Sequence, residues 1–190
     1  MATALPIPLT PFPWGDIAII LALIALNGVL AMSELAIVSA RRARLESITK
    51  KSQLRGAKTA LLLASNPGRF LSTVQIGITL IGIIAGAYSG ASLGGPVAER
   101  LLLLGVPAQW SNDISFTLVV GLTTFTSLIV GELVPKQFAL RAPEPIAVVM
   151  AMPMVVLSRV TAPLVWLLDR TSALIFRILG MNRESENHVT

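Results

Sequence analysis

The chain has 190 residues, 54% hydrophobic and only 13% charged, with a mean hydropathy of +0.75 and a formal net charge of +5. So few charges on so much apolar surface exclude an ordinary soluble domain, a disordered segment and a coiled coil, and leave an integral membrane protein. Cysteine is absent and the single histidine, His188, lies in a polar C-terminal tail, so no disulfide, thiolate metal site or cysteine nucleophile exists, and a His-dependent site would need the tail.

Three apolar runs follow in chain order. Ile17 to Val38 carries one charge, Glu34; Phe70 to Leu93 carries none; Ile114 to Val134 carries one, Glu132. Each is long enough to cross a hydrocarbon core of roughly 30 Å as a helix, so spans are expected over 17–38, 70–93 and 114–134. The first has no basic leader and is too long for the apolar part of a signal peptide, so it reads as a span. Between Arg41 and Arg69 lie eight of the fifteen Lys and Arg; the N-terminal arm has none, and 94–113 has only Arg100. The positive-inside rule then puts 41–69 in the cytoplasm and the N-terminus outside. The third span ends inside, where Lys136 and Arg141 follow it. A multi-pass protein of the cell (inner) membrane with a cytoplasmic C-terminus is expected. The isoelectric point near 10.5 thus reflects a membrane rather than a nucleic-acid partner.

Juxtamembrane helices are expected over about 41–65 and 137–179. Leu45, Ile48, Leu61, Leu62 and Leu63 alternate with basic residues, as in helices lying on a membrane surface. Asn66-Pro67-Gly68 reads as a turn, with Pro67 suited to start the second span. The outer loop, with Leu101 to Leu104 and Trp110, reads as an interfacial segment. Between Ile146 and Leu168, Arg159 divides an apolar stretch whose halves contain Pro153 and Pro163. Two short interfacial helices are preferred there over a broken fourth span, with an amphipathic continuation from Thr171 to Leu179. The fold class is an all-α integral membrane protein: three transmembrane helices plus cytoplasmic-side juxtamembrane amphipathic helices forming a belt. Residues 1–180 make the transmembrane domain, and 181–190 a polar tail or linker toward a soluble portion.

Glu132 is the most informative residue, because a carboxylate within a span is costly and faces a partner or a cavity. It stands in Gly131-Glu132-Leu133-Val134-Pro135-Lys136. Pro135 has no N–H for the carbonyl four residues back, that of Gly131. A freed carbonyl in a bilayer needs another partner, and a cation is one. The alternative is a Glu132–Lys136 pair one turn apart, with Pro135 ending the helix. Asn27 and Ser33 of the first span supply neutral oxygens, although from these residues alone interhelical glue is the better reading. Glu34 stays open as a ligand, a gate or an acid paired at the rim. Gly82, Gly86, Gly90 and Gly94 form a small-residue packing stripe. Counted from the basic flanks, Ser33, Ser72 and Glu132 all fall within roughly 14 Å of the cytoplasmic edge, so they can share one layer, with Ser72 and Gln75 candidates to point toward Glu132. Hard oxygens around one or two carboxylates suit Mg²⁺ or Na⁺, not zinc or copper. Gly90-Ala91-Ser92-Leu93-Gly94 fits G-x-S-x-G, but it ends an outward-running apolar helix away from His188, and no enzyme is expected.

Asn27-Gly28 through Met32-Ser33-Glu34-Leu35-Ala36, Arg41-Arg42-Ala43-Arg44-Leu45, Arg69-Phe70-Leu71-Ser72-Thr73-Val74-Gln75-Ile76-Gly77 and the Gly131–Lys136 segment resemble the three helices of the CorC and cyclin M magnesium transporters. The resemblance covers residues from about 15 to 180. It implies a homodimer formed through transmembrane helices, three spans and a belt per protomer, and cytoplasmic CBS domains that bind ATP in full-length members. It also implies a Mg²⁺ site in an inward-facing cavity, held by a backbone carbonyl and a glutamate of the third helix and by side-chain oxygens of the other two. Carried over, the metal ligands are Gly131 and Glu132, followed by Asn27, Ser33 and Ser72. Cyclin M proteins have serines where Asn27 and Ala31 align and an asparagine where Gly77 aligns, so the ligand set on the first two helices differs here. The resemblance implies Mg²⁺ transport, in the export direction, with Na⁺ moving inward as the coupling ion. A non-transporting Mg²⁺ sensor or membrane anchor with a structural cation is the alternative.

Overall fold

The computed structural model describes residues 9–52, 54–65 and 67–179, all of them in helices and short connections. The tail 181–190 with His188, and Asn66 of the expected turn, lie outside the described residues. In chain order the helices are α1 (Trp14–Ser39), α2 (Arg42–Ser52), α3 (Arg55–Ser65), α4 (Pro67–Leu103) and α5 (Ala108–Leu128), then a π-helical turn (Ile129–Leu133), α6 (Val134–Arg141) and α7 (Pro143–Ile178). The chain is a multi-pass, all-α membrane protein. Among the described residues, four helical stretches are long and apolar enough to cross a bilayer: Trp14–Ser39, Phe70–Leu103, Ala108–Arg141 and Pro143–Ile178. Large side chains such as Leu21, Leu80, Ile83, Leu122 and Phe125 point outward, as lipid-facing positions require.

Prolines mark the helix starts. Pro67 opens α4 and Pro143 opens α7, where a missing N–H leaves no bond unmade. Ala142, which precedes Pro143, adopts φ −143° and ψ 63°, because proline excludes its predecessor from helical geometry; this ends α6. At the far end of α4, Gly105 has φ +90°. Its N–H donates to the Leu102 carbonyl, and that of Val106 to the Leu101 carbonyl, which closes the helix in a Schellman turn.

α1 and α5 run in the same direction, and α4 runs against both. Tyr88 of α4 donates to Asp16 near the start of α1 at 2.7 Å, and Ser115 of α5 donates to the Gly94 carbonyl of α4. At the same end Thr10 donates its N–H and its hydroxyl to Glu99, both at 2.8 Å, and the Arg100 guanidinium lies over the Phe12 ring. The core sits at the other end, where Leu30, Ile37, Leu45, Phe70, Val74 and Met154 join α1, α2, α4 and α7. Its remaining members include Ala36, Ala60, Ala139, Ala147 and Ala151, small residues that let helices pack closely without a hydrophobic driving force. Glu144 in the first turn of α7 is buried, with Arg44 of α2 3.7 Å away. The helix N-terminus and this guanidinium both favour its charge.

Three expectations change. The stretch 146–168 does not divide into two short helices; it belongs to the continuous, 36-residue α7, which also takes in 171–178. Pro153 and Pro163 lie inside it on its exposed side, as do Val149 and Arg159, whose carbonyls those prolines leave without an intrahelical donor. Leu164 and Leu168 flank α4 across a groove of about 270 Å³ that Gln75, Thr79 and Ile83 line from the other side. Likewise Pro135 does not end the third helical rod, which continues through the π turn into α6. The segment 101–104 is the last turn of α4 rather than a separate interfacial piece. The helices expected over 41–65 are present as α2 and α3.

Candidate cation site

Where α1 crosses the π turn, two glycines face each other. A Cβ on Gly28 would meet the Pro135 ring at 3.1 Å and the Val130 carbonyl oxygen at 3.3 Å; one on Gly131 would meet the Ile24 carbonyl oxygen at 3.1 Å. The backbones come this close because neither residue has a side chain. The π turn forms just before Pro135, with the Val134 N–H bonded to the Ile129 carbonyl five residues back. Pro135 offers no N–H to the ladder, and the Gly131 carbonyl takes its hydrogen bond from across the helix pair: Asn27 Nδ2 donates to it at 3.1 Å. Asn27 is buried, and among the described residues its Oδ1 has no partner. An unsatisfied buried amide oxygen is uncommon and costs free energy until a donor or a cation meets it.

Asn27 and Glu132 line one cavity of about 180 Å³. Thr123, Thr124 and Ser127 of α5 line it too, and α4 closes it with Ile78, Gly82, Ala85 and Gly86. The stripe of glycines therefore divides in its work. Gly90 packs against α5, where a Cβ would strike the Phe116 ring and approach Val120 to 3.1 Å; Gly82 and Gly86 have open space in front of them and form the cavity wall. A second cavity of about 270 Å³, lined almost wholly by apolar residues such as Ile20, Ile24, Leu118 and Leu122, lies toward the start of α1 and shares Thr123.

The Glu132 carboxylate accepts a 2.6 Å bond from the Lys136 ammonium, the pair that the sequence spacing allows. Glu34 lies within electrostatic reach of both Lys136 and Glu132. Among the described residues no three His, Cys, Asp or Glu side chains gather as a metal cage, so backbone and amide oxygens would carry much of any coordination.

Of the five residues singled out in the sequence, the structure brings Asn27, Gly131 and Glu132 together. Ser33 is fully buried on α1, and its hydroxyl donates to the Val29 carbonyl at 2.6 Å. Ser72 is exposed on α4, donates to the Gly68 carbonyl at 3.2 Å, and stands ten residues, roughly 15 Å along the helix, from Gly82 of the cavity wall. Neither serine lines the cavity. The hydroxyls of Thr123, Thr124 and Ser127 went unnoticed in the sequence. Their signal was available: Thr123, Ser127 and Gly131 repeat every four residues down one face of an apolar run.

Residues 18–190 match the family model of the cyclin M transmembrane N-terminal domain. The chain is 45% identical over 175 residues to the UPF0053 protein sll0260 of Synechocystis, covering 92% of this chain and 39% of that protein. It is 30% identical over 179 residues to the UPF0053 protein YhdP of Bacillus subtilis, with the same shares covered. It is also 30% identical over 176 residues to the polyamine export protein of Escherichia coli K12, covering 93% of this chain and 39% of that protein. The chain thus spans about two fifths of the length of these curated relatives. The helical architecture agrees with the match, and the chain belongs to the cyclin M transmembrane-domain family.

Proposed function

We propose that the chain forms the membrane part of a cation exporter whose cargo is Mg²⁺, bound in a cytoplasm-facing cavity between α1, α4 and the α5–α6 rod. Membrane transport follows from the family; the identity of the ion rests on the site. One observation carries it: the Gly131 carbonyl, which Pro135 cannot cap, is held by the nitrogen of a buried amide whose oxygen has no partner among the described residues, and the next residue, Glu132, lines the cavity. Amide oxygen and nitrogen are assigned by hydrogen bonding. Turning the Asn27 amide over would place Oδ1 beside the Gly131 oxygen, and only a cation between them makes that arrangement favourable. One carboxylate with neutral oxygens and retained water suits Mg²⁺, which gives up its hydration reluctantly. Ser33 and Ser72, whose hydroxyls bond carbonyls of their own helices outside the cavity, are left out of the innermost coordination. Inward Na⁺ as the driving ion, a homodimer through the transmembrane helices, and control by cytoplasmic CBS domains of the full-length protein belong to the same reading.

A second reading has its own observation. Glu132 already holds a primary ammonium, that of Lys136, and a polyamine presents the same group. Proteoliposomes test both, and the sensor or anchor alternative with them. Mg²⁺ flux that Glu132→Gln abolishes while the protein stays folded supports the export reading. Flux of spermidine without Mg²⁺ flux supports the second. Mg²⁺ binding with no flux of either leaves a sensor or anchor.

A further inference from the structure

Lys136 stands where a cargo cation would have its strongest ligand. Its Nζ is 2.6 Å from Glu132 Oε1, and Glu132 lines the polar cavity. An i,i+4 Glu–Lys pair on a water-exposed helix would be unremarkable. This one lies in a stretch apolar enough to cross a bilayer, with the two side chains only 33% and 32% exposed. A lysine inside a span is costly and is retained there with a partner. A second acid is within reach: Glu34 of α1 feels the charges of both Lys136 and Glu132. α1 packs directly against α6, which carries Lys136, and against the π turn, which carries Glu132.

We propose that Lys136 is a tethered counter-cation, which neutralises Glu132 in the empty site and is handed to Glu34 when cargo arrives. The proposal rests on the cation-site reading above. Two donors of the chain itself hold the acceptors of the site: Lys136 the Glu132 carboxylate and the Asn27 amide nitrogen the Gly131 carbonyl. An arriving dication must displace the ammonium, because the two compete for one carboxylate. Glu34, on the helix packed against α6, gives the displaced charge a second carboxylate to meet. A four-carbon stem with a mobile head makes such a transfer feasible, where a rigid arginine fork would favour staying bound. With cargo bound, each of the two carboxylates faces a cation, and the cargo leaves by restoring the lysine to Glu132.

The test uses the chain in lipid nanodiscs with Mg²⁺ as the probe. Lys136→Gln removes the competitor, and Mg²⁺ affinity should rise on the order of tenfold or more, since a unit charge a few ångströms from a dication is strongly repulsive at low dielectric. Lys136→Arg, which keeps the charge, should not show that gain. Glu34→Gln should weaken Mg²⁺ binding in the parent chain and have no effect in a Lys136→Gln background; weakening in both would make Glu34 a ligand and overturn the transfer. Unchanged or weaker binding in a folded Lys136→Gln protein overturns the proposal. Should that variant fail to fold, the wild-type chain still decides. Saturating Mg²⁺ should shift the amine acylation of Lys136 as it trades one carboxylate for the other, read by mass spectrometry against the exposed Lys50 and Lys58, and acylation that does not change overturns the proposal. Glu132→Gln separates the two failures. If it leaves Mg²⁺ binding intact, the site reading has failed; if it abolishes binding and Lys136→Gln brings no gain, only the counter-cation has failed.

Discussion

The amide nitrogen of Asn27 lies 3.1 Å from the carbonyl oxygen of Gly131, 104 residues further along the chain. This bond joins α1 to the π turn at the point where Pro135 leaves a carbonyl without its usual donor. It also fixes the roles of the two ends of the amide, with the nitrogen spent and the oxygen unpaired.

Replacing Asn27 removes both ends at once. Asn27→Leu deletes the donor to Gly131 but also the unsatisfied Oδ1, so the two effects on stability oppose each other. Thermal unfolding should show a net change within about 1–2 kcal/mol. Mg²⁺ affinity, measured by calorimetry, should fall, and Asn27→Ser should recover part of it, because a hydroxyl both donates and accepts. Full affinity in Asn27→Leu would remove Asn27 from the site.

Pro135→Ala restores a backbone N–H next to the π turn. The new donor draws the helix toward regular α geometry and competes with Asn27 for the Gly131 carbonyl. The protein should be as stable as the parent or slightly more so, and Mg²⁺ should bind more weakly. Wild-type affinity by titration calorimetry would show that the proline does not expose a ligand.

Two glycines four residues apart on α4 should fail differently. Leucine at Gly90 meets Phe116 and Val120 and should lower stability by about 1–3 kcal/mol, the usual cost of overpacking. Leucine at Gly86 has open space in front of it and should fill the cavity, leaving the melting temperature near the parent value while Mg²⁺ flux drops. Equal thermal losses in both variants would contradict this division of the stripe.

Gly56 of α3 is the tightest of these approaches. A Cβ there would run into the backbone carbonyl of Val148 in α7, and backbone cannot swing aside as a ring can. Gly56→Ala should cost about 1–3 kcal/mol, more than Gly90→Ala, by denaturation in a mild detergent. The reverse order would mean that α3 shifts freely on α7.

The apolar helices over 17–38 and 114–134 were readable because apolar length alone marks them, and the structure extends each by several residues. Pro153 and Pro163 misled because proline inside a water-exposed helix costs roughly 3 kcal/mol, whereas α7 carries both on an exposed side without breaking. At the site, the loss of the Gly131 hydrogen bond could be derived from Pro135, since it depends only on the chain's own chemistry. That Asn27 would claim the carbonyl, and that Glu34 would lie near Lys136, depends on how α1 crosses the third rod, which no local pattern encodes.

The π turn at Ile129–Leu133 is a place where the rod holds one residue more than a regular helix of the same length. Removing a residue within it should therefore not break the helix; the surplus residue is absorbed within the turn, so its removal would leave a continuous α-helical rod whose two ends keep their rotational phase. Ser115, Val119 and Thr123 would still meet α4 and Ala139 would stay in the core, but the bulge that carries Gly131 against α1 would be gone. A one-codon deletion here would yield a folded membrane protein that has lost its polar cavity, whereas the same deletion among 115–123 would dismantle the packing against α4. The cavity's chemistry stands or falls on that one surplus residue.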